Sequence, residues 1–224
     1  MTDFASAPEA PPEARAVFGA GLPQAEHYAR LLCGPGVERG LLGPGEAPRI
    51  WPRHLVNCAV VADLVPPGTA ALADLGSGAG LPGIVLAILL PGVAVTLIEP
   101  MARRTAFLAE CVTALHLPNA EVRRGRAEDL AGQVGADVVV ARAVAPLDRL
   151  AGLAAGLARP GGLVLAVKGA GAAAELERAR PALRRLGARD AGLARAGEGR
   201  VEPAATVVRF RTAARSRAAA RTRR

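Results

Sequence analysis

One glycine-rich turn is the feature of the sequence with the clearest chemical use. It begins with the acid Asp74 and continues through Gly76, Gly78 and Gly80 to Gly83. Glycines at these spacings allow positive φ and let a ligand approach the backbone, because no Cβ stands in the way. Apolar runs lie before and after the turn, which predicts a strand, a ligand-contacting turn and a helix.

Two classes of cofactor use such a turn, and residues 78–83 formally match the G-x-G-x-x-G pattern of dinucleotide-binding proteins. Asp74 distinguishes the two classes, because a carboxylate just before the glycines would repel a pyrophosphate at the helix N-terminus. S-adenosylmethionine carries a sulfonium and an ammonium group, and an acid would attract both. The sequence therefore favours S-adenosylmethionine as the cofactor, with a nicotinamide nucleotide as the alternative.

Further candidates for cofactor binding follow the second and third predicted strands. Glu99 comes 23 positions after Gly76, and an acid about 20 residues beyond such a turn can bind both ribose hydroxyls. Ala127 and Glu128 follow the third strand, where a carboxyl or backbone N–H could meet the adenine edge. The alternative there is an acid that only stabilises a helix N-terminus. From the residues alone, the candidate cofactor contacts are Asp74, Gly76, Gly78, Gly80, Glu99, Ala127 and Glu128.

Two basic side chains are candidates for contact with a substrate. Lys168 follows the fifth predicted strand and is the only lysine of the chain. It could bind a phosphate or a base oxygen in a catalytic role, or it could be a solvated lysine at a strand end. Arg142 follows the fourth strand, and it could contact the substrate or form an ion pair with Asp74 or Glu128.

The elements that must carry these residues alternate between short apolar runs and amphipathic stretches. Strands are predicted at residues 71–74, 94–98, 120–123, 138–141, 163–167 and 206–211. Helices are predicted at residues 81–90, 103–115, 127–130, 147–158 and 173–186. This alternation indicates an α/β domain with a parallel sheet, in which ligands bind beyond the carboxyl ends of the strands. Residues 187–203 have a loop-like pattern.

The chain divides into four predicted regions. They are a disordered lead (residues 1–13), a helical cap (14–66), a core domain (67–211) and a basic, disordered tail (212–224). One amphipathic helix over residues 49–64 would connect the cap to the core. We interpret His54 on this helix as a structural histidine and Trp51 as a packing residue.

Composition excludes several classes of protein. Hydrophobic residues make up 51% of the chain, which is enough for a packed core. No apolar run reaches the roughly 20 residues of a transmembrane helix, and the N-terminus lacks the pattern of a secretory signal. We therefore expect a cytoplasmic protein. The three cysteines are far apart, which predicts buried thiols rather than a disulfide or a metal site.

The net charge of +8 is concentrated at the C-terminus, where seven arginines and no acids lie between Arg209 and Arg224. Such a tail favours a polyanionic partner such as RNA. The alternative is a disordered end that only adds solubility.

Four segments together resemble one known family. They are Asp74 to Ile84, Arg53-His54-Leu55, Ala141-Arg142-Ala143 and Val167-Lys168-Gly169. These segments resemble the bacterial small-subunit rRNA guanine-N7 methyltransferases, also called glucose-inhibited division protein B. The resemblance covers residues 49–169. The sequence departs from many members at Leu41 to Pro44, where they have Asn-Leu-Thr, and at Asn57-Cys58, where they have Asp-Ser.

The resemblance implies a Rossmann-like class I S-adenosylmethionine-dependent methyltransferase with a mostly parallel, seven-stranded sheet. It implies methylation of N7 of guanine 527, in the 530 loop of 16S rRNA, with the rRNA or a precursor of the small ribosomal subunit as substrate. A monomer that needs neither metal nor membrane is expected. By the same likeness, cofactor contacts fall on Gly76, Leu81, Ala127, Glu128 and Arg142.

Guanine N7 offers an in-plane lone pair and carries no proton, so its methylation needs no general base. Catalysis then depends on holding N7 in line with the methyl group. Two rival functions stay open at this point: a methyltransferase with a small-molecule acceptor, and a nonenzymatic RNA-binding protein that keeps the fold.

Overall fold

The structure is a computed structural model that describes residues 7–214. Its N-terminal part, the cap, is helical throughout. The cap contains α1 (Pro12–Phe18), α2 (Leu22–Leu31) and α3 (Asn57–Ala59), joined by 3₁₀ and π-helical turns at Gly19–Gly21, Leu32–Gly36, Pro44–Arg49, Ile50–Val56 and Val60–Leu64. Prolines interrupt regular helix in this region, because proline lacks the N–H that an α-helix needs.

After the cap, strands and helices alternate. The strands are β1 (Ala71–Leu75), β2 (Ala94–Glu99), β3 (Ala120–Arg124), β4 (Ala136–Arg142), β5 (Ala158–Lys168), β6 (Arg189–Ala196) and β7 (Ala205–Arg211). The helices are α4 (Gly83–Leu89), α5 (Ala102–Ala114), α6 (Leu147–Leu157) and α7 (Ala172–Arg185).

The seven strands form one sheet in the order β3-β2-β1-β4-β5-β7-β6. The first five pair in parallel, and β7 pairs antiparallel with both β5 and β6. Strand order reverses between β1 and β4, so the loops that follow these two strands diverge and leave a crevice. This arrangement confirms the Rossmann-like fold with a mostly parallel, seven-stranded sheet.

Successive side chains of the central strands contribute to two separate cores. Leu72, Val138 and Val140 pack on the face that carries the cap, α4 and α5. Ala73 and Val139 pack on the face that carries α6 and α7. Alternation follows from the pleat of a strand, and both faces are covered, as a parallel sheet requires. Asp74 points to the face of the cap and α4, where it is fully buried.

Three local predictions were wrong. Residues 189–196 form the antiparallel edge strand β6 rather than part of a loop. Residues 127–130 form turns rather than a short helix. Residues 49–64 are divided among π, α and 3₁₀ turns rather than forming one α-helix.

The predicted ends of the chain are described in part. Within the predicted lead, α1 begins at Pro12 and Ala10 is buried, so residues 7–13 pack against the cap instead of being disordered. Within the predicted tail, residues 212–214 are described and follow β7. Residues 1–6 and 215–224, with five of the seven C-terminal arginines, lie outside the described residues.

No helix within residues 7–214 is both long enough and apolar enough to cross a bilayer. The same residues contain no group of three or more histidine, cysteine or acidic side chains arranged to bind a metal ion. Cys33, Cys58 and Cys111 are buried free thiols, as predicted.

Candidate active site

Two neighbouring cavities open at the carboxyl ends of the strands, where the strand order reverses. The first, of about 450 Å³, lies between the cap and the loops after β1 and β4. The second, of about 340 Å³, lies beside the loops after β1, β2 and β3. Gly76 lines both cavities. Together they have the size expected of a small-molecule site, and we call them the cleft.

The glycine turn forms the wall between the cavities and requires glycine at particular places. Gly76 has φ +70°, and a Cβ there would lie 2.8 Å from Val144. Gly80 has φ +101°, and a Cβ there would lie 2.6 Å from the Tyr28 hydroxyl. Leu81, from the end of the turn, lines the first cavity. The predicted turn is confirmed as a tight, backbone-exposing wall of the cleft.

Asp74 lies beneath this turn rather than at its mouth. Its Oδ2 accepts a hydrogen bond of 3.0 Å from the N–H of Gly83, at the start of α4. Its Oδ1 accepts no hydrogen bond from the described residues. Burial raises the pKa of Asp74 to about 7, against the smaller lowering effects of Ser77, Gly83 and Arg142. The expectation that this carboxylate attracts a cofactor directly is therefore not supported by its position.

Glu99 has a similar supporting position at the end of β2. It is only 2% exposed. Its Oε2 accepts a hydrogen bond from the N–H of Gly78, and its Oε1 accepts one from the N–H of Met101, both at 3.0 Å. Arg104 Nη1 lies 3.6 Å from the same carboxylate. Glu99 therefore connects the glycine turn to the loop after β2, at the boundary between the two cavities.

Ala127 and Glu128 line the second cavity. Ala127 is buried, whereas the Glu128 carboxylate is half exposed and lies 3.8 Å from Arg149. Apolar side chains, among them Ile98 and Val144, line much of this cavity, and Arg126 and Arg149 line it as well. A flat aromatic base with polar edges suits such a lining, because the apolar walls bury its faces and Glu128 can accept a hydrogen bond from its edge.

Arg142 lies at the end of β4 and lines the first cavity. Its Nη2 donates a hydrogen bond of 3.1 Å to His54 Nδ1, and its Nη1 contacts the carbonyl of Arg53 at 3.5 Å. His54 Nε2 in turn lies 2.8 Å from Glu46 Oε2. Within the described residues Arg142 forms no ion pair with Asp74 or Glu128, the alternative that the sequence left open, and its hydrogen-bond partners come from the cap.

Lys168, the predicted catalytic residue, uses its ammonium group within the protein. Its Nζ donates to Glu175 Oε1 at 2.7 Å and to the carbonyl of Ala145 at 3.0 Å. Glu175 Oε1 also accepts a hydrogen bond from the N–H of Leu147, the first residue of α6. Lys168 thus supports the loop between β4 and α6, yet its side chain also borders a groove on the surface.

That groove, of about 490 Å³, lies beside the first cavity, and Arg53 lines both. The basic residues along it are Arg49, Arg53, Lys168 and Arg195, and no acid among the described residues lines it. Pro52, Pro203 and Ala204 supply apolar surface. We call this feature the basic groove. A charged, partly apolar groove of this kind suits a single-stranded nucleic acid.

Two residues were not among the predicted site residues: Glu46, which lines the first cavity, and Tyr28, which contacts the glycine turn. Tyr28 from α2 donates a hydrogen bond of 2.6 Å to the carbonyl of Ala79 in the glycine turn. Burial raises the pKa of Tyr28 well above its usual range, so the hydroxyl keeps this proton. Neither residue belongs to a local sequence motif that could have identified it. Trp51 packs edge-on against Phe18, as predicted for a packing residue.

The cleft fits S-adenosylmethionine on two observations. The Gly76 position leaves space that a Cβ would fill. The second cavity offers an apolar slot for an adenine, while the first presents the Arg142 guanidinium, which matches a carboxylate such as that of a methionine moiety.

Comparisons with known proteins point to one family. The profile described as "GidB: rRNA small subunit methyltransferase G" matches residues 21–201. A relative named ribosomal RNA small subunit methyltransferase G, from Thermobifida fusca, is 58% identical over 196 residues, which are 88% of this chain and 82% of the relative.

Solved structures show a similar fold at low sequence identity. A SAM-dependent O-methyltransferase from Thermotoga maritima matches with a TM-score of 0.57 and 14% identity, over 74% of this chain and 67% of that chain. The TYW2 protein of M. jannaschii in complex with AdoMet matches with a TM-score of 0.52 and 16% identity, over 67% of this chain and 71% of that one.

Proposed function

Because the chain belongs to the rRNA small subunit methyltransferase G family, we propose that it transfers a methyl group from S-adenosylmethionine to N7 of a guanine in 16S rRNA. Family membership confirms the resemblance drawn from residues 74–84 and its three accompanying segments. We assign this activity to the cleft on one observation: it lies where the strand order reverses, and the glycine turn forms its wall.

The residues of the cleft bind and orient the reactants. When bound, S-adenosylmethionine supplies an electrophilic methyl group. Ala127 and Glu128 accommodate its adenine in the second cavity, and Arg142 binds its carboxylate in the first. Glu99 fixes the turn between them through Gly78. Asp74 supports the end of the turn through the N–H of Gly83, and Gly80 leaves the space that the Tyr28 hydroxyl occupies.

Guanine N7 has a lone pair and no proton to lose, so this chemistry requires no general base. The cleft contributes by positioning, which is worth several kcal/mol when the reacting atoms are held in line. An arginine clamped on both O6 and N7, the common mode of guanine recognition, would block the reacting atom. A single donor to O6 is compatible with transfer.

The basic groove is the surface on which we place the RNA. It is continuous with the first cavity through Arg53, so a strand lying in the groove brings a base to the cavity. Lys168 is the proposed catalytic contact. Its side chain is 10% exposed, and it borders both the groove and the loop that follows β4.

The role of Lys168 is tested by comparing Lys168→Ala with Glu175→Gln. Both changes break the ion pair with Glu175, but only the first removes the cation from the groove. We expect Lys168→Ala to reduce methyl transfer by about 10-fold or more, with unchanged cofactor affinity, and Glu175→Gln to reduce it much less. Equal losses would mean that Lys168 acts only by supporting the loop.

The cellular setting is part of the proposal. We propose that the enzyme acts in the cytoplasm as a monomer, on the rRNA or on a precursor of the small ribosomal subunit. One chain supplies the walls of both cavities and of the basic groove, which supports a monomeric enzyme.

Mapping of N7-methylguanosine in 16S rRNA tests the proposed function directly. Cells that lack the gene should lose one such modification, and purified protein with S-adenosylmethionine should restore it on their rRNA. The variant Gly76→Val, whose side chain would collide with Val144, should not restore it. A protein that binds the cofactor but methylates no RNA would instead be a small-molecule methyltransferase. One that binds RNA but no cofactor would be a nonenzymatic binding protein.

A further inference from the structure

A chain of three polar side chains runs from the surface of the cap to the cleft. Glu46, on the 3₁₀ turn Pro44–Arg49, contacts His54 Nε2 at 2.8 Å, and His54 Nδ1 contacts Arg142 Nη2 at 3.1 Å. His54 is only 8% exposed. Neither acid–base chemistry nor cofactor contact has been assigned to Glu46 or His54 above.

The identity of the donors fixes the protonation state of the imidazole. An arginine can only donate, so His54 Nδ1 must be a lone-pair acceptor towards Arg142. The ring proton then lies on Nε2 and is donated to the Glu46 carboxylate, which can only accept. A second proton on Nδ1 would leave two donors facing each other across 3.1 Å, with two positive charges in contact.

We propose that Glu46 and His54 are positioning residues that hold the Arg142 guanidinium in the cleft for cofactor binding, and that the neutral Nε2–H form of His54 is required. Protonation of His54 breaks its bond to Arg142 and frees the guanidinium from its cofactor-binding position. This inference rests on the proposed function only in taking the cleft as the cofactor site.

The charged groups around His54 agree with this assignment. Arg49 and Arg53 both pair with Glu46, at 2.9 Å and 3.1 Å, and Arg142 approaches from β4. Burial lowers the pKa of His54 most, Arg142 and Arg53 lower it further, and Glu46 raises it in part. The neutral ring is therefore favoured at neutral pH. On the core side, Arg142 also lowers the pKa values of Tyr28, Cys58 and Asp74.

The first measurement needs neither RNA nor turnover. The chain has three histidines, so ¹⁵N NMR can follow each imidazole and report the tautomer and pKa of His54. The same pH series gives the affinity for S-adenosylhomocysteine by calorimetry. We expect an Nε2–H tautomer, and an affinity that falls at least about five-fold as His54 becomes protonated. By linkage, the bound ligand must lower the pKa of His54.

Two variants separate positioning from a merely structural role. Glu46→Gln keeps an acceptor for Nε2–H but removes the charge that raises the pKa of His54. The loss of S-adenosylhomocysteine affinity at acid pH, which we call the acid limb, should therefore move to lower pH. His54→Asn keeps an acceptor for Arg142 but cannot be protonated, so the acid limb should disappear. Glu177→Gln, in an exposed pair on α7, is the matched control and should leave the profile unchanged.

The alternative source of such a limb is Asp74, which also titrates beneath the turn. A limb that stays in place in both Glu46→Gln and His54→Asn would belong to Asp74 and would overturn the proposal. So would an affinity that is flat over the range in which NMR shows His54 titrating, or an Nδ1–H tautomer. If these measurements agree with the proposal while no rRNA is methylated, only the assigned substrate is wrong.

Discussion

Asp74 shows that a strand-end acid can be predicted from a local sequence pattern while the orientation of its side chain cannot. Its position before the glycines suggested attraction of a cationic cofactor. In the structure, its Oδ2 caps α4 through the N–H of Gly83, and its Oδ1 is buried without a partner among the described residues. Whether a strand-end acid faces the ligand or the following helix depends on which side of the pleat it occupies, and the motif does not encode that.

The buried carboxyl predicts a pH-dependent stability. The pKa of Asp74 is raised from 3.8 to about 7 in the folded protein, so its favourable contribution is full below the unfolded pKa and is lost as pH rises through about 7. Asp74→Asn removes this titration. The stability of the variant relative to wild type should therefore increase by about 2 to 4 kcal/mol between pH 4 and pH 8. Urea unfolding of both proteins across this range measures the difference.

The slope with pH, rather than the absolute difference, is the test. The Asn side chain introduces a buried N–H₂ whose unmet hydrogen bonds cost about 1 to 3 kcal/mol at every pH. Other titrating groups are common to both proteins and cancel in the comparison. A difference that does not vary with pH would mean that Asp74 stays ionised throughout.

At the scale of elements, the sequence predicts the central parallel strands β1, β4 and β5 well because their apolar runs are buried. A run such as Val138 to Val140 is typical of a parallel strand that is covered on both faces. The edge strand β6 has no such run: it contains Gly192 in its middle, and most of its residues are exposed or half-buried. Its structure comes from pairing with β7, and a single segment does not encode the identity of its partner.

The polar part of the site was less predictable for a related reason. Glycines and strand-end acids form a local pattern that can be read directly. The Glu46–His54–Arg142 chain joins residues eight and 88 positions apart, and Tyr28 reaches the glycine turn from 51 positions away. Such contacts depend on where the cap docks on the sheet, which no local spacing specifies.

Replacing glycine by alanine should have opposite effects on stability at Gly83, which begins α4, and at Gly152. A Cβ on Gly83 would lie 2.5 Å from Asp74 Oδ2, so Gly83→Ala should destabilise the protein by about 1 to 3 kcal/mol. Gly152, inside α6, has open space around the same position, and Gly152→Ala should be neutral or stabilising by up to about 1 kcal/mol. Chemical unfolding of the two variants measures both effects. A Gly83→Ala variant that is as stable as Gly152→Ala would show that α4 can shift away from Asp74.

At the scale of the whole molecule, the cap and the sheet form one structural unit. Buried side chains of the cap, including Tyr28 and Leu55, belong to the same hydrophobic core as Leu72 and Leu97 of the sheet. The first cavity lies between the cap and the sheet, so the cap contributes directly to the proposed site. It supplies Glu46, His54 and Tyr28 to the site and two arginines to the basic groove.

The arginines near the C-terminus divide into two groups with different expected roles. Arg209 and Arg211 belong to β7, whereas Arg215, Arg217, Arg221, Arg223 and Arg224 lie beyond the described residues. If the latter group binds RNA phosphates, a chain ending at Ala214 should bind rRNA more weakly. The slope of log affinity against log salt concentration should then fall by about 0.7 for each phosphate of a single strand that the shortened chain no longer neutralises.

Filter-binding measurements at several salt concentrations give this slope for the full and shortened chains. The core packing lies within residues 7–214, so the shortened chain should keep its unfolding free energy and its affinity for S-adenosylhomocysteine. These two values are the controls, because a decrease in either would show damage to the folded domain rather than removal of an RNA-binding segment. An unchanged salt slope would leave the tail a role in solubility alone and assign RNA binding to the basic groove.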